Sequence, residues 1–211
     1  MVRYGMAINV GRCQGCSTCT VACKMNNNLP KDVWRNRIDT DGGEFRKTAR
    51  GEYPKNLAKT YYPISCQQCT NAPCVAVCPT NASAIRDDGI VTIDTAECIG
   101  CGSCLSACPY DARTLNSSEI EYYTEHALGD YDAPEHVNNT MEKCDLCIHR
   151  IERGEVPACM EFCPVDARHW GDLDDPESDV STYLAQYKGT QLLPEEGTDP
   201  NCFYVMDALP Q

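Results

Sequence analysis

Sixteen of the 17 cysteines in this 211-residue chain fall into four tight runs, a grouping that constrains the fold more than any apolar pattern does. The runs are Cys13, Cys16, Cys19 and Cys23; Cys66, Cys69, Cys74 and Cys78; Cys98, Cys101, Cys104 and Cys108; and Cys144, Cys147, Cys159 and Cys163. The first and third have the spacing C-x2-C-x2-C-x3-C, whereas the second widens its middle gap to four residues and the fourth to eleven. Three runs continue past their last cysteine as PTNA, PYDA and PVDA, so the pattern is an internal repeat. Cys202 stands apart and is expected to be a packed thiol rather than a ligand.

Three chemistries use thiols in such numbers. A disulfide framework suits short secreted chains, but this count is odd and near neighbours within a run would close strained loops. Zinc takes four thiolates as two separated C-x2-C pairs and has no use for a third cysteine two residues on, followed by C-x3-C-P. A 4Fe-4S cubane presents four iron corners: a tight loop of three thiolates wraps one face, and a more distant cysteine takes the remaining corner. In two-cluster ferredoxins of this spacing the fourth cysteine serves the other cluster, so each pair of runs holds two clusters and the chain holds four. TCTVACK reads as a helix start with Cys19 and Cys23 one turn apart. Gly15, Gly100 and Gly102 either make the turns or let backbone amides approach sulfur.

Composition supports a fold held by what the thiols bind. Cysteine is about 8% of the chain, only three phenylalanines are present, and a conventional apolar core would be thin. The net charge of -13 excludes a nucleic-acid partner, which would need a basic patch. No run of 18 apolar residues occurs, and MVRYGMAINVGRC has neither a secretory apolar stretch nor a twin-arginine pair, so the chain is expected neither to span a membrane nor to export itself. No C-x2-C-H haem motif, phosphate-binding glycine motif or G-x-S-x-G occurs. His126, His136, His149 and His169 lack paired spacing and are expected to be structural or solvated.

Only 19 residues separate the second and third runs, and they include DDGIVTIDTAEC, read as a turn and a short strand with Val91 and Ile93 on one face. That compactness favours nesting, with the first and fourth runs forming an outer pair across connectors of 42 and 35 residues. Pairing first with second and third with fourth also matches a strict run with a widened one, so spacing leaves both orders open. The expected fold class is α+β, and in the favoured nested order it comprises two bacterial-type ferredoxin modules, an outer one from 1–24 plus 140–171 and an inner one from 63–115. Residues 25–62 and 116–139 are connectors, and 172–211 form a tail expected to close with a strand near CFYVMDAL.

On these motifs a family resemblance is specific. MAINVGRCQGCSTC, SCQQCTNAPCVAVCP, DDGIVTIDTAECIGCGSCLSACPYDA and EKCDLC followed by PACMEFCP, in this order, resemble the iron-sulfur subunit of the dimethyl sulfoxide reductase family over residues 4 to about 171. The resemblance implies four 4Fe-4S clusters, anaerobic respiration, and a catalytic partner with a molybdenum or tungsten bis-pterin cofactor. It often implies a membrane anchor that exchanges electrons with quinone, and hence a place at the periphery of the cytoplasmic membrane. It assigns Cys13, Cys16, Cys19 and Cys163 to one cluster and Cys23, Cys144, Cys147 and Cys159 to its neighbour. Cys66, Cys69, Cys74 and Cys108 share a third, and Cys98, Cys101, Cys104 and Cys78 hold the last. The implied role is electron transfer without bond-making chemistry. Two rivals are a soluble complex without quinone, as in the related pyrogallol transhydroxylase, and a stand-alone redox enzyme or sensor. The connectors, rich in charge and tyrosine, are expected to make subunit contacts.

Overall fold

The structure, a computed structural model, describes residues 2–41 and 49–206; residues 42–48 of the first connector and 207–211 of the tail lie outside the described residues. In chain order the elements are β1 (Tyr4–Asn9), α1 (Thr18–Asn26), β2 (Asn36–Thr40), β3 (Tyr61–Ser65), α2 (Pro73–Ala76), β4 (Ser83–Ile85) and β5 (Val91–Ile93). There follow α3 (Ser103–Ser106), β6 (Arg113–Leu115), β7 (Met141–Lys143), α4 (Ile148–Ile151), α5 (Ala158–Glu161), β8 (Arg168–Asp172), α6 (Asp179–Gln186), β9 (Gly189–Thr190) and β10 (Cys202–Val205).

Each cysteine run feeds a short helix, and each of these helices is followed in the chain by a short strand. α1 carries Cys19 and Cys23 as its spacing predicts, while α2, α3 and α5 carry Cys74, Cys104 and Cys159. The three shorter helices stop before a Cys-Pro pair, because proline offers no N–H and disfavours helical geometry in the residue before it. α1 packs against α5 and α2 against α3. Strand pairing follows the same grouping: β4 with its neighbour β5, and β1 with the distant β8, both antiparallel. β6 pairs with β7, so the strand that leaves the third run is laced to the strand that enters the fourth.

The tail does more than close the chain. β10 runs parallel to β1, pairing Met6 with Cys202 and Ile8 with Tyr204, in a sheet ordered β8-β1-β10-β9. α6, which the acidic start of the tail concealed, packs on β8, and Ser178 caps it by accepting from the Ser181 amide. The first connector contributes the antiparallel pair β2–β3, also unforeseen.

Among the described residues two larger apolar clusters carry the packing, with Cys23, Leu29 and Val33 as a small third. Met6, Ile8, Val10, Ile64, Ile90, Leu146, Met160, Cys202 and Tyr204 form one. The other counts Cys69, Cys74 and Cys104 among its members beside Val91, Tyr110 and Met141, with Ile93 against it, so thiols do substitute for ordinary core residues here. Tyr204 is 1% exposed, and its hydroxyl donates to the Pro63 carbonyl at 3.0 Å. Tyr204→Ala is expected to cost about 3–5 kcal/mol, the range for large-to-small aromatic truncations. In a protein of this size that lowers the Tm by at least about 6 °C; an unchanged Tm in a calorimetric scan would remove β10 from the core.

Candidate functional site

Every run repeats one backbone device. The residue before the second cysteine is left-handed in all four: Gly15 (φ 63), Gln68 (φ 49), Gly100 (φ 64) and Leu146 (φ 58). At Gly15 an added Cβ would sit 2.4 Å from the Tyr61 ring, and at Gly100 2.0 Å from the Asn139 carbonyl oxygen, so glycine is required there by space as well as by φ. Burial raises the Cys13 thiol, and the nearby Gly15 amide acts in the opposite direction, so the turn also brings an amide toward sulfur there. Past the last cysteine of three runs, Asn81, Asp111 and Asp166 take φ 57, 48 and 49, a conformation Asn and Asp tolerate. The N/D-A of the sequence repeat is therefore a second turn.

These turns gather thiols from distant segments. Cys23, Cys144, Cys147 and Cys159 line one cavity. Cys66, Cys69, Cys74 and Cys108 line a second, and Cys78, Cys98, Cys101 and Cys104 a third. Cys13, Cys19 and Cys163 lie close enough for Cys19 and Cys163 to push the Cys13 thiol up, behind the larger effect of burial. Cys16, from the same loop, is exposed. None of the 17 cysteines is in a disulfide, and Cys202 is buried in β10.

Their electrostatics divide by depth. Burial pushes Cys69 and Cys147 up to about 12, with neighbouring sulfurs adding to the effect, and raises Cys23 and Cys144 still further. At the surface the Thr18 hydroxyl lowers Cys16 from 3.3 Å and the Ser103 hydroxyl lowers Cys101 from 3.5 Å. At Cys78 slight burial acts upward, but the Ser83 amide at 3.4 Å and Thr80 outweigh it and the thiol is lowered. Amides of Met141, Leu146 and Ala167 approach Cys98, Cys144 and Cys163 at 3.4–3.5 Å.

Two guanidiniums missed by sequence reasoning reach sulfur: Arg113 donates to Cys74 and Arg168 to Cys159, each at 3.1 Å. A hydrogen bond to a charged partner is worth about 1.5–3 kcal/mol against about 1 for a neutral pair, so these outrank the amides wherever the sulfur is a thiolate. Both arginines are one residue beyond the PYDA and PVDA that carried the repeat, and extending that comparison by one position finds them. Asn27 donates to Cys23 and Cys147 at 3.8 and 3.7 Å and is held by Arg35, itself clamped between Glu142 and Asp145.

The residues fit 4Fe-4S clusters. Thiols this buried ionise only against a strong positive partner, and iron in a thiolate site supplies one. Nε of Arg113 and the Asn36 amide nitrogen, each from a residue lining one of these cavities, are buried donors without a protein acceptor, as suits an anionic occupant there. The histidines take no part: His136 bonds Glu142 and the Asn27 carbonyl, and His169 stacks on Tyr183 at 3.7 Å. His149 approaches Asp130 and Asp132, but Arg153 already bonds both carboxylates. Among the described residues no helix is long and apolar enough to cross a membrane.

Fold and thiol sets define an iron-sulfur protein of ferredoxin-like build, and a model of the 4Fe-4S dicluster domain matches residues 57–124 and 129–173. The chain is 48% identical, over 97% of its length and 79% of the relative's, to a Halobacterium salinarum protein provisionally named as an iron-sulfur subunit of dimethyl sulfoxide reductase. It is 38% identical to one component of the polysulfide reductase of Wolinella succinogenes (96% and 94% covered). It is 34% identical to the arsenate respiratory reductase iron-sulfur subunit of a Shewanella species (97% and 96% covered). The protein belongs to the iron-sulfur subunits of the dimethyl sulfoxide reductase family of molybdenum and tungsten bis-pterin oxidoreductases. It is an electron-transfer subunit of a reductase complex rather than a catalytic one, and its dicluster match and sixteen grouped cysteines fit four 4Fe-4S clusters.

Purified protein is expected to hold about sixteen iron and sixteen acid-labile sulfide per chain. Stoichiometric zinc with little iron in the same elemental measurement would contradict the cluster assignment.

Proposed function

We propose that the protein relays single electrons through two nested ferredoxin modules whose four thiolate sets form a line between a donor and a bis-pterin catalytic subunit. The observation that carries this reading is the grouping of thiols: three cavities are each lined by four cysteines drawn from the paired runs that nesting requires. Helix packing supports the same pairing, α1 with α5 and α2 with α3. In this reading Cys13, Cys16, Cys19 and Cys163 hold the first cluster and Cys23, Cys144, Cys147 and Cys159 the second. Cys66, Cys69, Cys74 and Cys108 hold the third, and Cys78, Cys98, Cys101 and Cys104 the fourth.

The order along the line has support from contact and from exposure. Gln68, beside Cys69, donates to the Cys144 carbonyl at 3.0 Å, and Cys66 lies near enough to add to the effect of burial in raising Cys144, so the second and third sets adjoin. The first and fourth sets each include an exposed cysteine, Cys16 and Cys101, as the two ends of a relay must. The first set faces the catalytic subunit and the fourth faces the donor, a quinol-linked membrane anchor. The protein is thereby peripheral to the cytoplasmic membrane. Exposed tyrosines of the connectors, Tyr53, Tyr123 and Tyr131, suit subunit contacts.

Cys101→Ser should open one corner of the fourth cluster and give the oxidised protein a three-iron electron paramagnetic resonance signal that the wild type lacks. A wild type already showing that signal would take Cys101 out of the ligand set. Replacing Cys98 should abolish reduction by the physiological donor while small dyes still drive the catalytic subunit, and replacing Cys13 should slow transfer into that subunit. Turnover assays with both donors separate the two, and a reversed pattern would reverse the relay.

A further inference from the structure

The repeat past each Cys-Pro continues differently from run to run: the residue after its alanine is Ser83 in the second, Arg113 in the third and Arg168 in the fourth. Both arginines are buried, at 5% and 4% exposed. Each directs one guanidinium nitrogen at a sulfur, Cys74 or Cys159, and another at a neutral oxygen: the Ser83 hydroxyl at 2.8 Å for Arg113 and the Asn36 amide oxygen at 3.5 Å for Arg168. Arg35 and Arg150, also buried, are paired with carboxylates; among the described residues Arg113 and Arg168 form no ion pair. Two buried guanidiniums are thus left for sulfur to balance, one in each module, whereas the buried Lys24 and Lys143 donate to backbone carbonyls.

We infer that Arg113 and Arg168 set the reduction potentials of the two interior clusters, holding the Cys66-Cys69-Cys74-Cys108 and Cys23-Cys144-Cys147-Cys159 sites above the value their thiolates would give. Adding an electron to a thiolate-bound cluster adds negative charge in a poorly solvated place. A fixed cation bonded to a ligand sulfur favours the reduced form, and net charge and hydrogen bonds to sulfur are established levers on such potentials. The end sets have weaker partners, namely the hydroxyls of Thr18, Thr80 and Ser103 and the amides of Ser83, Met141 and Ala167. Each arginine also feels a thiol of the neighbouring set, Cys104 for Arg113 and Cys19 for Arg168, but donates its hydrogen bond to the interior one. Both are positioning residues for electron transfer, acting through a ligand rather than touching a partner subunit.

This inference rests on the ligand sets proposed above, and the experiment separates the two. Redox titration of the purified protein, followed by electron paramagnetic resonance, is run on wild type, Arg113→Met, Arg168→Met and the matching Lys variants. In each Met variant one cluster should become at least tenfold harder to reduce, a fall of about 59 mV for one electron. The affected cluster should differ between the two variants, and lysine should restore most of the shift. Arg113→Gln and Arg168→Gln, which keep a donor without the charge, carry the test if the Met variants lose iron. Cys74→Ser and Cys108→Ser identify the cluster concerned. If those two perturb different clusters, the ligand sets are wrong. If they perturb the same cluster and the charge-removing Arg113 variants leave its potential unmoved, or move all four equally, the inference about the arginines is overturned.

Discussion

The structure depends on balancing negative charge in its interior. Clusters held by thiolates are anionic, and burying an anion costs several kcal/mol unless positive groups meet it. The protein is acidic outside, with a net charge of -13, yet its buried side chains have the opposite bias. Among the described residues Lys24, Arg35, Arg113, Lys143, Arg150 and Arg168 are buried against only two carboxylates, Asp39 and Glu142. Lys24 alone donates to three carbonyls, of Pro30, Lys31 and Val33, at 2.6–3.0 Å, which fixes a cation next to Cys23. An interior of this sign would be a liability in an ordinary domain. Around thiolate-bound iron it is what allows the charge to be buried.

The same constraint accounts for the thin secondary structure. Several helices are single turns and several strands are three residues long, lengths that would not persist by propensity. Left-handed turns at Gly15, Gln68, Gly100 and Leu146, and again at Asn81, Asp111 and Asp166, shape the runs more than any long element does. Binding iron at sites assembled from distant runs converts metal affinity into folding energy, as in other small metal-held domains. The sheet β8-β1-β10-β9 and its apolar cluster give the outer part conventional support.

Much of this was legible because ligation chemistry writes itself into spacing. The cysteine runs, the α1 helix through Cys19 and Cys23, the shared face of Val91 and Ile93, and the packed thiol of Cys202 could each be read from local pattern. What escaped reading was set by partners far away in the sequence. β10 belongs beside β1 because of pairing across nearly the whole protein, and nothing in CFYV names that neighbour. β2 and β3 lay hidden in a connector whose charges and tyrosines suggested subunit contacts rather than strands. Arg113 and Arg168 escaped because arginine ordinarily reads as surface, and only the repeat extended by one residue marks them as interior.

Anomalous diffraction at the iron absorption edge, from crystals of the native complex, tests the central claim most directly, since it places iron without reference to any assumed ligand. Four iron centres in one line are expected, the middle two at the cysteine sets containing Cys23 and Cys66 and the outer two beside Cys16 and Cys101. Clusters bridging the first run to the second and the third run to the fourth would contradict the nested relay.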